Sequence, residues 1–147
     1  MRITVAQQAD IPELCSLLTI LFSQEEDFQP DQTAQSRGLG LIIANPQRGH
    51  ILIARQNGAV IGMVTLLYTI STALGDRVAL LEDMIIHPAA RGAGAGSLLL
   101  KHAIEFTRSQ GCKRITLLTD RANEAAQRFY RHHGFTMSAM TPLRLLL

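Results

Sequence analysis

The chain has 147 residues, 47% of them hydrophobic and 18% charged, with a net charge of +2. That length suits one domain over residues 1–147 with a real core, and the composition excludes a disordered chain. The basic residues are scattered rather than clustered, which argues against a nucleic-acid partner.

Cys15 and Cys112 are too few for a disulfide framework or a cysteine metal site, so each is expected to act as a small apolar residue in a cytoplasmic protein. The start, MRITVAQQAD, has no long apolar run, and no window is apolar enough to predict a membrane span. No membrane partner is therefore expected.

In chain order, RITVA alternates and predicts a short strand. DIPELCSLLTILF predicts a helix, with Asp10 as its cap, Pro12 in the first turn and Glu13 completing a capping box. SQEEDFQPDQ reads as a polar, acidic loop. TAQSRGLGLIIANP reads as a glycine-broken helix closed by Pro46. HILIARQNGAVIGMVTLLYTI predicts a hairpin, because Asn57-Gly58 between apolar runs is the signature of a tight primed turn. ALGDR turns the chain into VALLEDMIIHP, a third antiparallel strand. Leu99, Ala103 and Phe106 mark the buried face of the next helix, which Gly111 ends, while Lys101, Glu105 and Arg108 face solvent. RITLLT predicts a strand, ANEAAQRFYRHHG a helix, and FTMSAMTPLRLLL one or two final strands. This order predicts a mixed α/β fold with one crossover unit in its second half.

The segment HPAARGAGAGSLLL, residues 87–100, carries the clearest chemistry. A strand, a glycine-rich turn and a helix start form a natural anion site. The first amides of a helix lack partners, the helix dipole is positive there, and glycines let oxygens approach the backbone. Arg91 adds a cation. The segment therefore reads as a diphosphate cradle, with a merely flexible loop as the alternative. It is not a dinucleotide fingerprint, because Ser97 stands where the third glycine is needed. It is not a P-loop, because no Lys-Ser or Lys-Thr follows.

Arg91-x-x-Gly94-x-Gly96 matches the R/Q-x-x-G-x-G/A motif of the GNAT superfamily of N-acetyltransferases. Asn123, Ala126, Phe129, Tyr130, Gly134 and Phe135 match a second motif, N-x-x-A-x-x-F-Y-x-x-x-G-F. The resemblance runs over residues 81–135, and the first half agrees only in element order. It implies a central, mostly antiparallel twisted sheet with a V-shaped splay between the fourth and fifth strands, flanked by about four helices. It also implies acetyl-CoA as donor, direct transfer to an amine of a small molecule or peptide, and no metal.

Residue by residue, the resemblance implies that the backbone of Met84, Ile85 and Ile86 pairs with the pantetheine arm. Amides of Arg91, Gly92, Ala93, Gly94, Ala95, Gly96 and Ser97 hold the diphosphate. Asn123 bonds the arm from the same helix face as Tyr130, whose phenol is the candidate acid for the departing thiolate. Ala126 and Phe129 line the cofactor side, although Phe129, with Ala122, Ala125 and Ala126, also reads as core. Tyr130 alone reads equally as an aromatic at the core edge.

An attacking amine must lose a proton, and Glu82, in an otherwise apolar strand, is the candidate base if burial raises its pKa. Its alternative is a solvent-facing or ion-paired strand residue. Asp83 should point to the opposite face unless a bulge alters the alternation. A backbone N–H near Met84 or Ile85 is the candidate for the developing oxyanion. Glu25, Glu26 and Asp27 form a candidate acidic rim for a cationic acceptor, or simply a solvated loop. His87, His102, His132 and His133 lack metal-ligand spacing; His133 could contact the cofactor. A non-catalytic acyl-CoA sensor and an interaction module are the competing functions. The apolar hairpin and LRLLL suggest edges that a homodimer could cover.

Overall fold

The computed structural model describes residues 1–25 and 29–147. Strand β1 (Arg2–Val5) is followed by a 3-10 turn (Gln8–Asp10), helices α1 (Ile11–Ser23) and α2 (Gln32–Ile43), and strands β2 (Gly49–Gln56), β3 (Ala59–Ser71) and β4 (Asp76–Ile86). A second 3-10 turn (Pro88–Ala90) leads to helix α3 (Ala95–Ser109), strand β5 (Ile115–Leu117) and helix α4 (Glu124–His132). The sheet order is β1-β2-β3-β4-β5, antiparallel throughout except for the parallel pair β4–β5. That parallel pair requires the crossover helix α3, as the alternating elements predict.

The β2–β3 hairpin closes through Asn57 and Gly58 at φ 52° and 80°, the two left-handed residues of a primed turn. In β2, alternate residues serve opposite faces. Ile51 and Ile53 join Leu14, Leu17 and Leu18 of α1 and Leu39 of α2 in one core. Leu52 and Ala54 join Leu99, Leu100 and Ala103 of α3 in the other, against which Phe129 and Tyr130 of α4 pack.

Three expectations change. Asp10 does not cap α1 with its side chain: it lies in the preceding 3-10 turn, accepts from the Gln7 N–H at 2.7 Å and pairs with Arg55. The Arg55 cation competes successfully for that carboxylate. Residues 135–147 form no strand, and Met137, Met140 and Leu143–Leu147, apart from Arg144, are exposed large apolar residues. Pro142 has no N–H to give a ladder, and β5 offers an edge of only three residues. Ala122 and Ala125 are exposed rather than core, while Ala126 and Phe129 are half-buried.

Candidate active site

The chemistry of the site begins with an irregularity in β4. Met63 pairs with Ile85 and Thr65 pairs with Glu82, so Asp83 and Met84 together oppose the single residue Val64. This is a β-bulge, and Asp83 adopts φ 52° in the left-handed region. Aspartate is among the few side chains that tolerate that conformation. The bulge reverses the facing of everything after it. Leu81 belongs to the α3 core, yet Ile85 belongs to the α1 core, and Met84 and Ile86 pack on the α3 side.

The other edge of β4 is shared only briefly. Pairing with β5 runs from Ala79 to Leu81 and stops there. Among the described residues no strand pairs with that edge from Glu82 to Ile86. The two strands part at this point, which is the expected splay, and Met84, Ile85 and Ile86 lie along the free stretch. The Ile86 carbonyl is engaged otherwise: it accepts from Arg91 Nε at 3.0 Å. Arg91 is thus folded back on the strand end, rather than projecting freely from the mouth of the turn.

A cleft of about 620 Å³ opens where the strands part. Glu25, Glu82, Asp83, Met84, Asp120, Asn123, Ala126, Tyr130 and Arg144 are among the residues lining it. The sequence-predicted pair Asn123 and Tyr130 therefore meets the carboxylates of β4 in one space. Asn123 is not on a helix face as expected. It is the N-cap of α4, and its side-chain oxygen accepts from the Ala126 N–H at 3.0 Å. The cap orients the side chain at the cleft while satisfying an orphan helix donor.

Tyr130 is half-buried, edge-on to Phe129 at 5.3 Å and to Phe135 at 5.6 Å. Burial pushes its phenol up to about 12. The group stays protonated at neutral pH, as a proton donor must.

Glu82 is exposed, so the burial expected of it is absent. The desolvated carboxyl is its neighbour. Asp83 is pushed up to about 6, first by burial and then by the negative charges of Glu82 and Glu25. Like charges sharing one space resist joint ionisation. The sequence puts Asp83 on the face opposite Glu82 unless a bulge intervenes; the bulge is present, and the carboxyl it desolvates is that of Asp83 rather than Glu82. Of the acidic rim, Glu25 lines the cleft, whereas Glu26 and Asp27 lie outside the described residues.

The glycine turn has the geometry of a cradle. Gly92 and Gly94 have φ 87° and 83°, a conformation that side chains resist. Gly94 is the N-cap of α3, and the first helical bond runs from the Leu98 N–H to the Gly94 carbonyl at 3.1 Å. The amides of Ala95, Gly96 and Ser97 precede that bond and have no helical acceptor. Arg91, Gly92, Ala93 and Gly94 are exposed, Ala95 is buried, and Gly96 and Ser97 are half-buried. A Cβ on Gly96 would meet Phe129 Cζ at 3.6 Å, ordinary contact, so α4 packs directly on the start of α3. These free amides and missing side chains suit a diphosphate, and the free strand edge suits an extended amide-bearing arm. Among the described residues no group of three or more His, Cys, Asp or Glu could hold a metal ion, and no described helix is long and apolar enough to cross a membrane.

The family described as "Acetyltransferase (GNAT) family" matches residues 11–135. The uncharacterized N-acetyltransferase YhfO of Bacillus subtilis (strain 168) is 33% identical over 118 residues, 78% of each chain. The aminoalkylphosphonate N-acetyltransferase of Salmonella typhimurium (strain LT2) is 28% identical over 133 residues, 90% of this chain and 83% of the relative. A solved structure from Agrobacterium tumefaciens str. C58, classed with the acetyltransferases, aligns over 100% of both chains with a TM-score of 0.84 and 26% identity. The chain belongs to the GNAT family of acetyltransferases and is an acyltransferase.

Proposed function

We propose that the protein transfers an acetyl group from acetyl-CoA directly to a cationic amine, on a small molecule or a peptide, bound in the cleft between β4 and α4. The observation that carries this reading is the convergence of Tyr130, Asn123 and the Glu82–Asp83 pair on one cleft, at the point where β4 loses its partner. Acetyl-CoA supplies the activated thioester. The amides of residues 91–97 hold its diphosphate, the free edge at Met84, Ile85 and Ile86 aligns its arm, and Asn123 and Ala126 flank it. Phe129 fixes α4 against the cradle.

Two proton tasks fall to different groups. Tyr130 keeps its proton to neutral pH and above and offers it to the departing thiolate. The acceptor gives up two protons: one leaves the ammonium before attack and goes to the carboxylate pair, and the second, lost as the amide forms, replaces the one Tyr130 has given to the thiolate. Glu82 faces the open cleft, and Asp83, with a value near 6, is ionised at neutral pH yet basic enough to accept the first. The carboxylates of Glu25, Glu82 and Asp83 draw a cationic acceptor in. Exposed Leu143, Leu145, Leu146 and Leu147 support a homodimer, which sedimentation velocity tests.

The test is thiol release from acetyl-CoA across a panel of primary amines, with Tyr130→Phe in parallel. Amine-dependent release that the variant slows supports the reading. Binding of acetyl-CoA without turnover on any amine would put the non-catalytic sensor in its place.

A further inference from the structure

The cradle has a neighbour that the motif does not require. His133, the residue that closes α4, places its Nε2 3.1 Å from the Ser97 Oγ in the first turn of α3. The ring is held there by packing, edge-on to Phe129 at 5.0 Å. Phe129 in turn lies against Gly96. Gly96, Ser97, Phe129 and His133 thus form one contact chain across the junction of the two helices.

Resting on the acetyl-CoA reading above, we propose that His133 is a second cationic group for the diphosphate, and that it takes up a proton from solvent when the diphosphate binds. The surroundings of the ring support this. Among the described residues, His132, its neighbour on α4, and Lys101, one turn beyond Ser97 on α3, are the charged or titratable groups acting on it. Neither is an anion. Burial first, and then these two groups, holds the imidazole below its usual range. At neutral pH the uncharged ring therefore predominates in the free protein, as a partner of the Ser97 hydroxyl. A diphosphate at the amides beside Ser97 brings the missing negative charge within reach, and an opposite charge nearby favours the protonated form. The ring's value then rises from below its ordinary range. Affinity gains a contribution that is full at pH below the free-state value and lost as pH climbs through the bound-state value.

The experiment is calorimetric titration with 3′-dephospho-CoA in buffers of different ionisation enthalpy, from pH 6 to 8. This probe keeps the diphosphate and lacks the phosphomonoester, which itself titrates near pH 6. The expected result is net proton uptake by the wild type and tighter binding as pH falls. In His133→Gln the uptake disappears, and affinity at pH 6 drops by roughly tenfold, the scale of one hydrogen bond to a charged group. His132→Gln keeps the uptake. Pantetheine, which has no diphosphate, binds both proteins alike.

Binding of 3′-dephospho-CoA without proton uptake in the wild type overturns the role of His133, as does uptake that persists in His133→Gln. CoA binding with no binding of the dephospho form also overturns it, because recognition would then lie at the 3′-phosphate. Failure of CoA itself to bind the folded wild type is a separate result and removes the acetyl-CoA reading.

Discussion

Replacing Asp83 with Asn should make the protein more stable at pH 8 while making it a poorer enzyme. Burial, with the charges of Glu82 and Glu25, lifts this carboxyl from 3.8 to about 6. Above that pH the fold carries an ionised group that it holds more favourably as the acid. The difference corresponds to a ceiling of roughly 3 kcal/mol, and partial solvent access brings the expected gain to about 1–3 kcal/mol. Because the folded-state value is raised, the cost is absent below the unfolded carboxylate range and complete above about pH 6–7. Roughly a third of it remains at pH 4.5. Asn accepts the φ of 52° at this position, so the substitution adds no backbone strain. For a chain of this size the gain is roughly 3–8 °C in melting temperature at pH 8. Thermal denaturation of both proteins at pH 4.5 and pH 8 checks it. An equal difference at the two pH values, or a less stable variant at pH 8, would mean that the fold does not disfavour the ionised Asp83 carboxylate. Turnover should fall by about 100-fold or more if Asp83 accepts the amine's proton.

Glu82→Gln removes one of the charges that raises Asp83, so the acid limb of kcat/KM should move to lower pH. A limb that instead vanishes would make Glu82 itself the base. Tyr130→Phe should reduce kcat by about 100-fold with little change in KM, because the phenol is used when the thiolate leaves; steady-state kinetics with a fixed amine decides it. The Thr65 Oγ1 is buried without a hydrogen-bond partner among the described residues. Thr65→Val keeps the shape and removes that orphan group, and should stabilise the fold by roughly 1 kcal/mol in chemical denaturation.

Local signals with a local cause were legible. Asn57-Gly58 specifies its turn by backbone conformation alone, and the alternation in β2 follows from which face each side chain meets. The glycines of RGAGAG divide as physics demands: Gly92 and Gly94 supply left-handed backbone, and Gly96 admits close packing of Phe129. Features set by pairing between distant segments were not legible. A bulge in β4 is open from the sequence, but its place at Asp83 depends on the register between β3 and β4, and that place decides which of two adjacent carboxylates is desolvated. Asp10 has the sequence setting of a cap, but its carboxylate pairs with Arg55, which lies 45 residues away in the chain. Asn123 and Tyr130 do line one cleft, although Asn123 reaches it as a cap rather than from a helix face. The apolar pattern of residues 135–147 suits strands, but a strand needs a partner edge, and among the described residues none pairs with it.

If the glycine turn holds the diphosphate of acetyl-CoA as proposed, calorimetric titration of the wild type and of Gly94→Asp with acetyl-CoA will separate the two proteins. Aspartate at Gly94 brings a negative charge to the start of α3 and a side chain to a backbone at φ 83°. Saturable binding by the wild type that the folded variant loses by at least about 100-fold is the predicted result. Equal affinity in both proteins, or no binding by the folded wild type, would contradict it.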